Sequence, residues 1–433
     1  MNMKNGFILK GGRVIDPSTG TDRKGDIAVR NGRIVNPSEL KKPEIIDIAN
    51  NVVVPGLIDL HVHLRQPGAT HKETIAAGTA AAAAGGFTAV VAMPNTSPVT
   101  DNAGTVEFIK RHAAEEGVVK VVICAAMTRS LDGEAMTSIG SLKKNGVVAL
   151  SDDGRCVQNH EIMRHIMEYA ASFDLPILDH CEDANLAADG VMHEGYWSTL
   201  LGLRGIPAAS EELMVARDII MAEITGAKIH IQHISASGSV RKVKEARRRG
   251  IRVTAEVTPH HIALTDENMK YFDTNYKMKP PLMSEEHRKA LIKGLKDGTI
   301  TVIATDHAPH TETEKLVEMD YAPFGIVGLE TALPVCLTEL YHKKHLTLPE
   351  LIAKFTTGPA EVLGIDTPSL QEGTPATITL FNPDAEQTID SSQFRSKSAN
   401  TPFNGYKACG KVTATVVDGK FVFSGLSGVK GMI

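Results

Sequence analysis

The sequence predicts an α/β protein: a (β/α)8 TIM-type barrel carrying a small β-sandwich domain built from both chain ends. Three observations predict it. Between residues 54 and 370, short apolar runs alternate with helical patterns eight times, as β-α units around a closed parallel sheet require. Before and after that span, strand and turn patterns dominate. Histidines and carboxylates also gather at the C-terminal ends of the apolar runs, where barrel enzymes keep their active sites. The boundaries read as 1–53 and 371–433 for the two β parts and 54–370 for the barrel.

In the first part, Phe7-Ile8-Leu9, Arg13-Val14-Ile15, the run 26–29 and Arg33-Ile34-Val35 are separated by Gly11-Gly12, Pro17 and Asn31-Gly32. Asn-Gly between apolar runs is a strong hairpin signal, so a small antiparallel β-structure is expected. Val52, Val53 and Val54, then Leu57, Ile58 and Leu60, form a run interrupted only by Pro55-Gly56. It reads as a strand buried on both faces. The eight barrel strands are expected at 56–63, 87–93, 119–126, 147–152, 176–180, 228–234, 252–257 and 300–305. Helices lie between them, for example at 210–226, with Ser210 as the cap and Leu213, Ala216, Ile219, Ile220 and Ile224 on one face. A doubly wound sheet would need a glycine-rich phosphate loop after its first strand; here that strand ends in histidines. Strand character returns at 376–380, 409–417 and 420–423.

With 433 residues, 42% hydrophobic and 22% charged, the composition is that of a soluble globular protein. A net charge of −5 leaves no footprint for nucleic acid, and Arg247-Arg248-Arg249 reads as a solvated helix end. Five scattered cysteines argue against a disulfide framework and for a reducing compartment. No charged-then-apolar leader opens the chain, and the alanine run at 80–84 is too short to cross a bilayer. A cytoplasmic protein without a membrane partner is expected.

The chemistry is concentrated at the strand ends. Strand alternation puts His61 and His63 on one side, with Val62 facing away. Two imidazoles so spaced can grip one divalent ion. Arg65 follows; the second strand ends in Met93-Pro94-Asn95-Thr96, the fourth in Ser151-Asp152-Asp153-Gly154, and the fifth in Asp179-His180-Cys181-Glu182. Gln232-His233 ends the sixth, and Thr305-Asp306-His307-Ala308-Pro309-His310 the eighth. Any one strand-end histidine is more often structural; five such ends aimed at one mouth are not. Imidazole and carboxylate without a thiolate cluster suit zinc or a similar ion. The surplus of ligands over one tetrahedral ion points to a two-metal site, and so to metal-assisted hydrolysis or its reverse. Spacing alone does not separate Asp152 from Asp153.

The stretches His-Val-His-Leu-Arg-Gln-Pro-Gly at 61–68, Ala-Met-Pro-Asn-Thr at 92–96, Ser-Asp-Asp-Gly at 151–154, Asp-His-Cys-Glu-Asp at 179–183 and Ala-Thr-Asp-His-Ala-Pro-His at 304–310 occur in order. Together they closely resemble the dihydroorotases of the amidohydrolase superfamily, over nearly the whole chain. The resemblance implies two zinc ions per chain: His61 and His63 on the first, His180 and His233 on the second, Asp153 bridging. It implies Asp306 on the first ion as general base and acid. It also implies that His63, Arg65, Asn95 and His310 bind substrate, with Phe324 and Gly325 lining the pocket. The implied reaction is reversible cyclisation of N-carbamoyl-L-aspartate to L-dihydroorotate in pyrimidine biosynthesis. A homodimer and association with aspartate transcarbamoylase are further family expectations. A guanidinium suits bidentate recognition of a carboxylate on physical grounds alone.

The segment 279–283 departs from the pattern. It reads Lys-Pro-Pro-Leu-Met where many relatives carry Asn-Pro-Pro-Leu-Arg, so no substrate contact carries over to position 279. Many superfamily members bridge their metals with a carboxylated lysine on the fourth strand, and 147–150 offers none. That weighs against hydantoinase and allantoinase. The metal-free relatives that partner aspartate transcarbamoylase would have lost ligands that this chain keeps. Cys181 reads as a small buried residue, His260-His261 as structural, Tyr196 and Trp197 as loop packing, and 311–320 as a polar loop over the pocket.

Overall fold

The computed structural model describes residues 6–433. The chain opens with β1 (Phe7–Asp16), β2 (Thr21–Arg30), β3 (Arg33–Val35), β4 (Glu44–Asp47) and β5 (Val52–Pro55). It continues with β6 (Leu57–Val62), β7 (Phe87–Ala92), β8 (Lys120–Ala125), β9 (Ala149–Leu150) and β10 (Ile177–Asp179). A two-stranded ribbon, β11 (Met192–His193) and β12 (Gly205–Ile206), precedes β13 (Ile229–Ile231), β14 (Val253–Val257) and β15 (Val302–Ile303). It ends with β16 (Ile378–Thr388), β17 (Lys407–Val417) and β18 (Lys420–Ser424).

All eight expected barrel strands form, in the order β6-β7-β8-β9-β10-β13-β14-β15, every pairing parallel. The ring closes where the segment after β15 returns to β6, His63 N donating to His307 O at 2.9 Å. Leu60, Val91, Cys124, Ala149, Leu178 and Val302, one from each of six strands, pack together as the filled interior that such barrels have.

The chain ends meet in one sheet, β18-β17-β16-β5-β1-β2-β3, with β4 beside β1. It is mixed: β1 runs parallel to both β4 and β5, so the antiparallel expectation holds only in part. Four places separate β1 from β18, roughly 19 Å in a flat sheet. The Phe7 and Phe421 rings are nonetheless 5.2 Å apart. The sheet therefore folds over on itself, and its two halves enclose a common core that includes Phe7, Val53, Ile378 and Val416.

The apolar run at 52–60 is divided between the two sheets. Val53 pairs with Leu380 in β16, whereas Ile58 pairs with Ala89 in β7. Gly56 makes the crossing possible, because a Cβ there would lie 2.1 Å from Thr88 Oγ1 and 2.8 Å from Thr377. The helix Ala209–Thr225 differs from expectation in two ways. Ser210 is not its cap; its hydroxyl donates to Asp183 O at 2.9 Å. Leu213, Ile220 and Ile224 face solvent, while Met214, Val215, Ile219 and Ala222 are buried. The stripe read from the sequence had merged residues about 100° apart on the helix.

Candidate metal centre and active site

β6 delivers His61 and His63 to the C-terminal mouth. His61 Nδ1 lies 2.9 Å from Glu256 Oε1 on β14, so the ring donates there and turns Nε2 inward. That Nε2 is buried and finds no hydrogen-bond partner among the described residues. It stands 3.2 Å from Asp153 and 3.5 Å from Asp306. His63 donates from Nδ1 to Asn95 Oδ1 at 2.8 Å, and its Nε2 lies 3.0 Å from Asp306 and 3.4 Å from Asp153. On the other side of Asp153, His180 Nδ1 and His233 Nε2 are 2.8 Å apart, each 3.8 Å from its Oδ1.

Two groups of potential ligands thus overlap: His61, His63 and Asp306, and His61, Asp153 and His233, each with donor atoms within 4.8 Å of one another. Neighbouring ligands of a tetrahedral ion held at about 2.1 Å lie about 3.4 Å apart. The observed spacings of 3.0–3.5 Å around His61, His63, Asp153 and Asp306 match that edge. The residues fit a metal. Electrostatics point the same way. Burial opposes charge at Asp306, Asp153 and His61 alike, yet His61 draws both carboxylates well below their ordinary range. In turn Asp153 and Asp306 hold His61 well above its own. The cluster demands positive charge, and a cation can replace the protons. Burial and the neighbouring His233 lower His180 to about 3, leaving it neutral as a ligand must be.

Geometry separates the two aspartates that spacing could not. Asp152 Oδ1 accepts from the backbone N–H groups of Met127 (2.7 Å) and Thr128 (3.1 Å), and its other oxygen accepts from the Thr128 hydroxyl. Those bonds lock the loop and leave Asp153 toward the mouth. Glu256 is a residue that sequence reasoning missed. Fully buried, it also pairs with His230 Nε2 at 3.1 Å and accepts from His233 N at 3.3 Å. Despite burial, His230 and His61 lower it to about 2, so it stays ionised. A glutamate inside the buried strand Val253–Val257 was the available signal.

At the rim, His310 sits between cations. Its Nε2 donates to Phe324 O at 2.9 Å and its Nδ1 faces Lys72 Nζ at 3.3 Å, which fixes the neutral tautomer. Burial, with Arg65 and Lys72 next, lowers it to about 3. Arg65 Nη2 approaches the same Nε2 at 3.4 Å, donor against donor, and Nε donates to Pro309 O at 3.2 Å. The remaining guanidinium donors have no protein acceptor among the described residues. Asn95 accepts from His63 through Oδ1 and reaches Asp153 through Nδ2 at 3.4 Å, which leaves one of its two amide N–H donors without a protein acceptor. Gly325 has φ +118°, and a Cβ there would lie 2.6 Å from the Ala308 Cβ, so only glycine lets this loop close on His310. Arg65, His233 and Asp306 also take left-handed backbone angles of 58°, 29° and 48°. Such clustering of strain is typical of functional sites.

Cys181 is buried with its thiol pushed up, and it donates to Asp218, a carboxylate already ion-paired with Arg217. The loop at 311–320 begins with the capped turn Glu312–Lys315, and the buried Lys315 ammonium donates to Pro323 O and Gly325 O. Tyr196 is exposed and Trp197 packs beside Val191, Met192 and Met269. A third group, Asp179, Cys181 and Asp218, is filled by the Arg217 guanidinium, 3.2 Å from Asp179 and 2.8 Å from Asp218.

His261 is structural, with Nδ1 accepting from the Thr258 hydroxyl at 2.7 Å and Nε2 donating to Pro280 O at 3.0 Å. Burial, then His233, lowers it to about 4. Between that value and the unfolded value of about 6.5, the unfolded chain binds the extra proton, so stability falls as pH drops through this window. At pH 5 the loss from this one group is about 2 kcal/mol. Denaturant midpoints are therefore expected to fall from pH 7 to pH 5, and less steeply in His261→Gln; equal slopes would contradict this assignment.

A family profile described as Dihydro-orotase-like matches residues 50–239. The chain is 50% identical to the dihydroorotase of Pelotomaculum thermopropionicum, over 96% of this chain and 98% of that protein. It is 49% identical to the dihydroorotase of Solibacter usitatus over the same shares. Among solved structures it resembles the L-hydantoinase (dihydropyrimidinase) of Arthrobacter aurescens, with a TM-score of 0.88, 23% identity and coverage of 98% and 97%. The dihydropyrimidinase of Brevibacillus agri gives 0.84, at 21% identity and coverage of 97% and 95%. Likeness at that identity is likeness of fold.

Proposed function

This chain belongs to the dihydroorotase family, and from that premise we propose that it interconverts N-carbamoyl-L-aspartate and L-dihydroorotate in the cytoplasm, for pyrimidine biosynthesis. Among the described residues no helix is long and apolar enough to cross a membrane. The observation that carries the reading is the Arg65 guanidinium, with donors to spare, beside two overlapping His/Asp triads. A cyclic amide bearing a carboxylate needs both.

His61, His63 and Asp306 would hold one zinc ion and His180 and His233 a second, with Asp153 between them. When bound, such a pair supplies a Lewis acid for the amide carbonyl and lowers the pKa of water toward neutrality. The chain's own residues do the rest. Arg65 binds the substrate carboxylate through paired, charge-assisted hydrogen bonds and so fixes the ring's orientation. Neutral His310, locked by Phe324 O and Lys72, supports that pole without adding charge. In ring opening, Asp306 accepts the proton of the attacking water and passes it to the leaving ring nitrogen as the C–N bond breaks. Ring closure retraces the steps, and Asp306 protonates the departing hydroxyl. Against the opposing effect of burial, the positive charge of the surrounding cluster keeps the Asp306 carboxylate ionised, and a bound cation in place of the imidazole protons would act in the same direction. Glu256 orients His61 and Asn95 orients His63, and the second Asn95 amide N–H is left to bind the substrate carboxylate with Arg65.

The experiment is Arg65→Lys, which retains charge and loses the fork. Charged hydrogen bonds contribute about 1.5–3 kcal/mol, so the KM for L-dihydroorotate is expected to rise on the order of 10- to 100-fold. Unchanged KM would remove the carboxylate from this position.

A further inference from the structure

Part of the mouth is held from outside the barrel. Residues 396–400, in the connection between β16 and β17, read Ser-Lys-Ser-Ala-Asn; Ser396, Ser398 and Asn400 are buried, and Lys397 and Ala399 are exposed. Such alternation belongs to an extended segment with one face inward. That face lies on loops of the mouth. The Ser396 hydroxyl donates to Glu73 Oε2 at 2.6 Å and the Ser398 hydroxyl to Lys72 O at 2.7 Å. Lys72 is the residue whose ammonium faces His310. Farther along, the Asn400 carboxamide accepts from His310 N at 3.0 Å through Oδ1, while Nδ2 donates to Ala308 O at 3.2 Å and to Gly325 O at 3.1 Å. One N–H and two carbonyls are met at once by a carboxamide and by no other side chain of that size. The Asn400 backbone carbonyl in turn accepts from Val327 N at 2.9 Å.

We propose that Asn400 is a positioning residue for the substrate carboxylate, acting through Arg65 and His310, so that the C-terminal β part completes the active site. This rests on the reaction given above. Arg65 Nε is anchored on Pro309 O, and proline has no N–H with which to fix its own place. Asn400 holds the residues on both sides of it, Ala308 through its carbonyl and His310 through its N–H. The third bond ties Gly325, next to the Phe324 whose carbonyl takes the His310 ring. A single buried amide thus places both the anchor of the guanidinium and the partner of the imidazole. Its hydrogen bonds reach none of the six candidate metal ligands, so its influence falls on substrate binding rather than on the metal.

The test is Asn400→Asp on zinc-loaded protein, which keeps the shape and turns an oxygen toward the Ala308 and Gly325 carbonyls. The KM for L-dihydroorotate is expected to rise about tenfold, with kcat near the wild-type value and zinc content unchanged. In an Arg65→Lys background the same substitution should add little, because residues that act as one unit are not additive. Val416→Ala, which opens a cavity in the β-domain core, is the control for lost stability: it should lower the thermal midpoint and leave KM alone. Should Asn400→Asp fail to fold, Asn400→Ser, whose short hydroxyl leaves room for water, carries the same comparison. An unchanged KM, a loss falling chiefly on kcat, or full additivity with Arg65→Lys would each overturn the proposal. Turnover of neither L-dihydroorotate nor N-carbamoyl-L-aspartate by the wild-type protein would instead overturn the reading of the reaction itself, and this proposal with it.

Discussion

Asp306→Asn is expected to lower kcat by about 10²- to 10⁴-fold in both directions, the range for loss of a positioned general acid–base. The argument is geometric. Asp306 follows β15 with a left-handed backbone, φ 48°, which turns its carboxylate into the mouth rather than along the strand. One oxygen lies 3.0 Å from His63 Nε2 and 3.5 Å from His61 Nε2, and the residue is 7% exposed. Asparagine keeps the shape and one oxygen while losing the charge and the ability to take a proton. An interaction made only in the transition state lowers kcat and kcat/KM together, so KM should stay within about threefold. Metal analysis of the variant is part of the measurement. A tenfold loss or less at full metal content would assign the proton transfer elsewhere.

Removal of divalent metal is expected to abolish turnover, and zinc to restore it. Six side chains converge from the C-terminal ends of β6, β9, β10, β13 and β15, and the buried His61 Nε2 among them has no hydrogen-bond partner among the described residues. Without a cation, the cluster holds itself together with protons, as the raised His61 shows. Zinc binding near pH 7 should therefore release roughly one proton or more per chain, measurable in weak buffer with an indicator. It should also raise the thermal midpoint, since a ligand at a thousandfold excess over its Kd stabilises by about 4 kcal/mol. Activity that survives complete chelation would contradict the reading, as would zinc uptake without proton release.

The barrel was legible because parallel strands buried on both faces leave continuous apolar runs, and because their polar residues fall at one end. His61, His63, His180, His233 and Asp306 could be read as a set for that reason. Asp152 and Asp153 could not be separated, since adjacent residues in a loop have no period; only the bonds from Met127 and Thr128 to Asp152 distinguish them. Glu256 escaped because a lone charge in a buried strand says nothing of which imidazole it will meet 195 residues away. The helix Ala209–Thr225 was placed but rotated, since apolar residues on adjoining faces blur into one stripe. The parallel pairing of β1 with β5 was equally hidden: Asn31-Gly32 announces a hairpin, whereas nothing local announces a partner some forty residues on. The bond of Asn95 to His63 was not legible, since it depends on the fold bringing β7 beside β6.

The most direct measurement is the initial rate of ring opening of L-dihydroorotate against that of dihydrouracil, on the same zinc-loaded protein. The two rings share the cyclic amide, and only the first carries the carboxylate that Arg65 would bind. L-dihydroorotate should be opened, and dihydrouracil at least on the order of a hundredfold more slowly, the loss expected when a buried charged donor is left unpaired. Comparable rates on both, or turnover of dihydrouracil alone, would contradict the assignment and make this protein a different cyclic amidase on the same barrel.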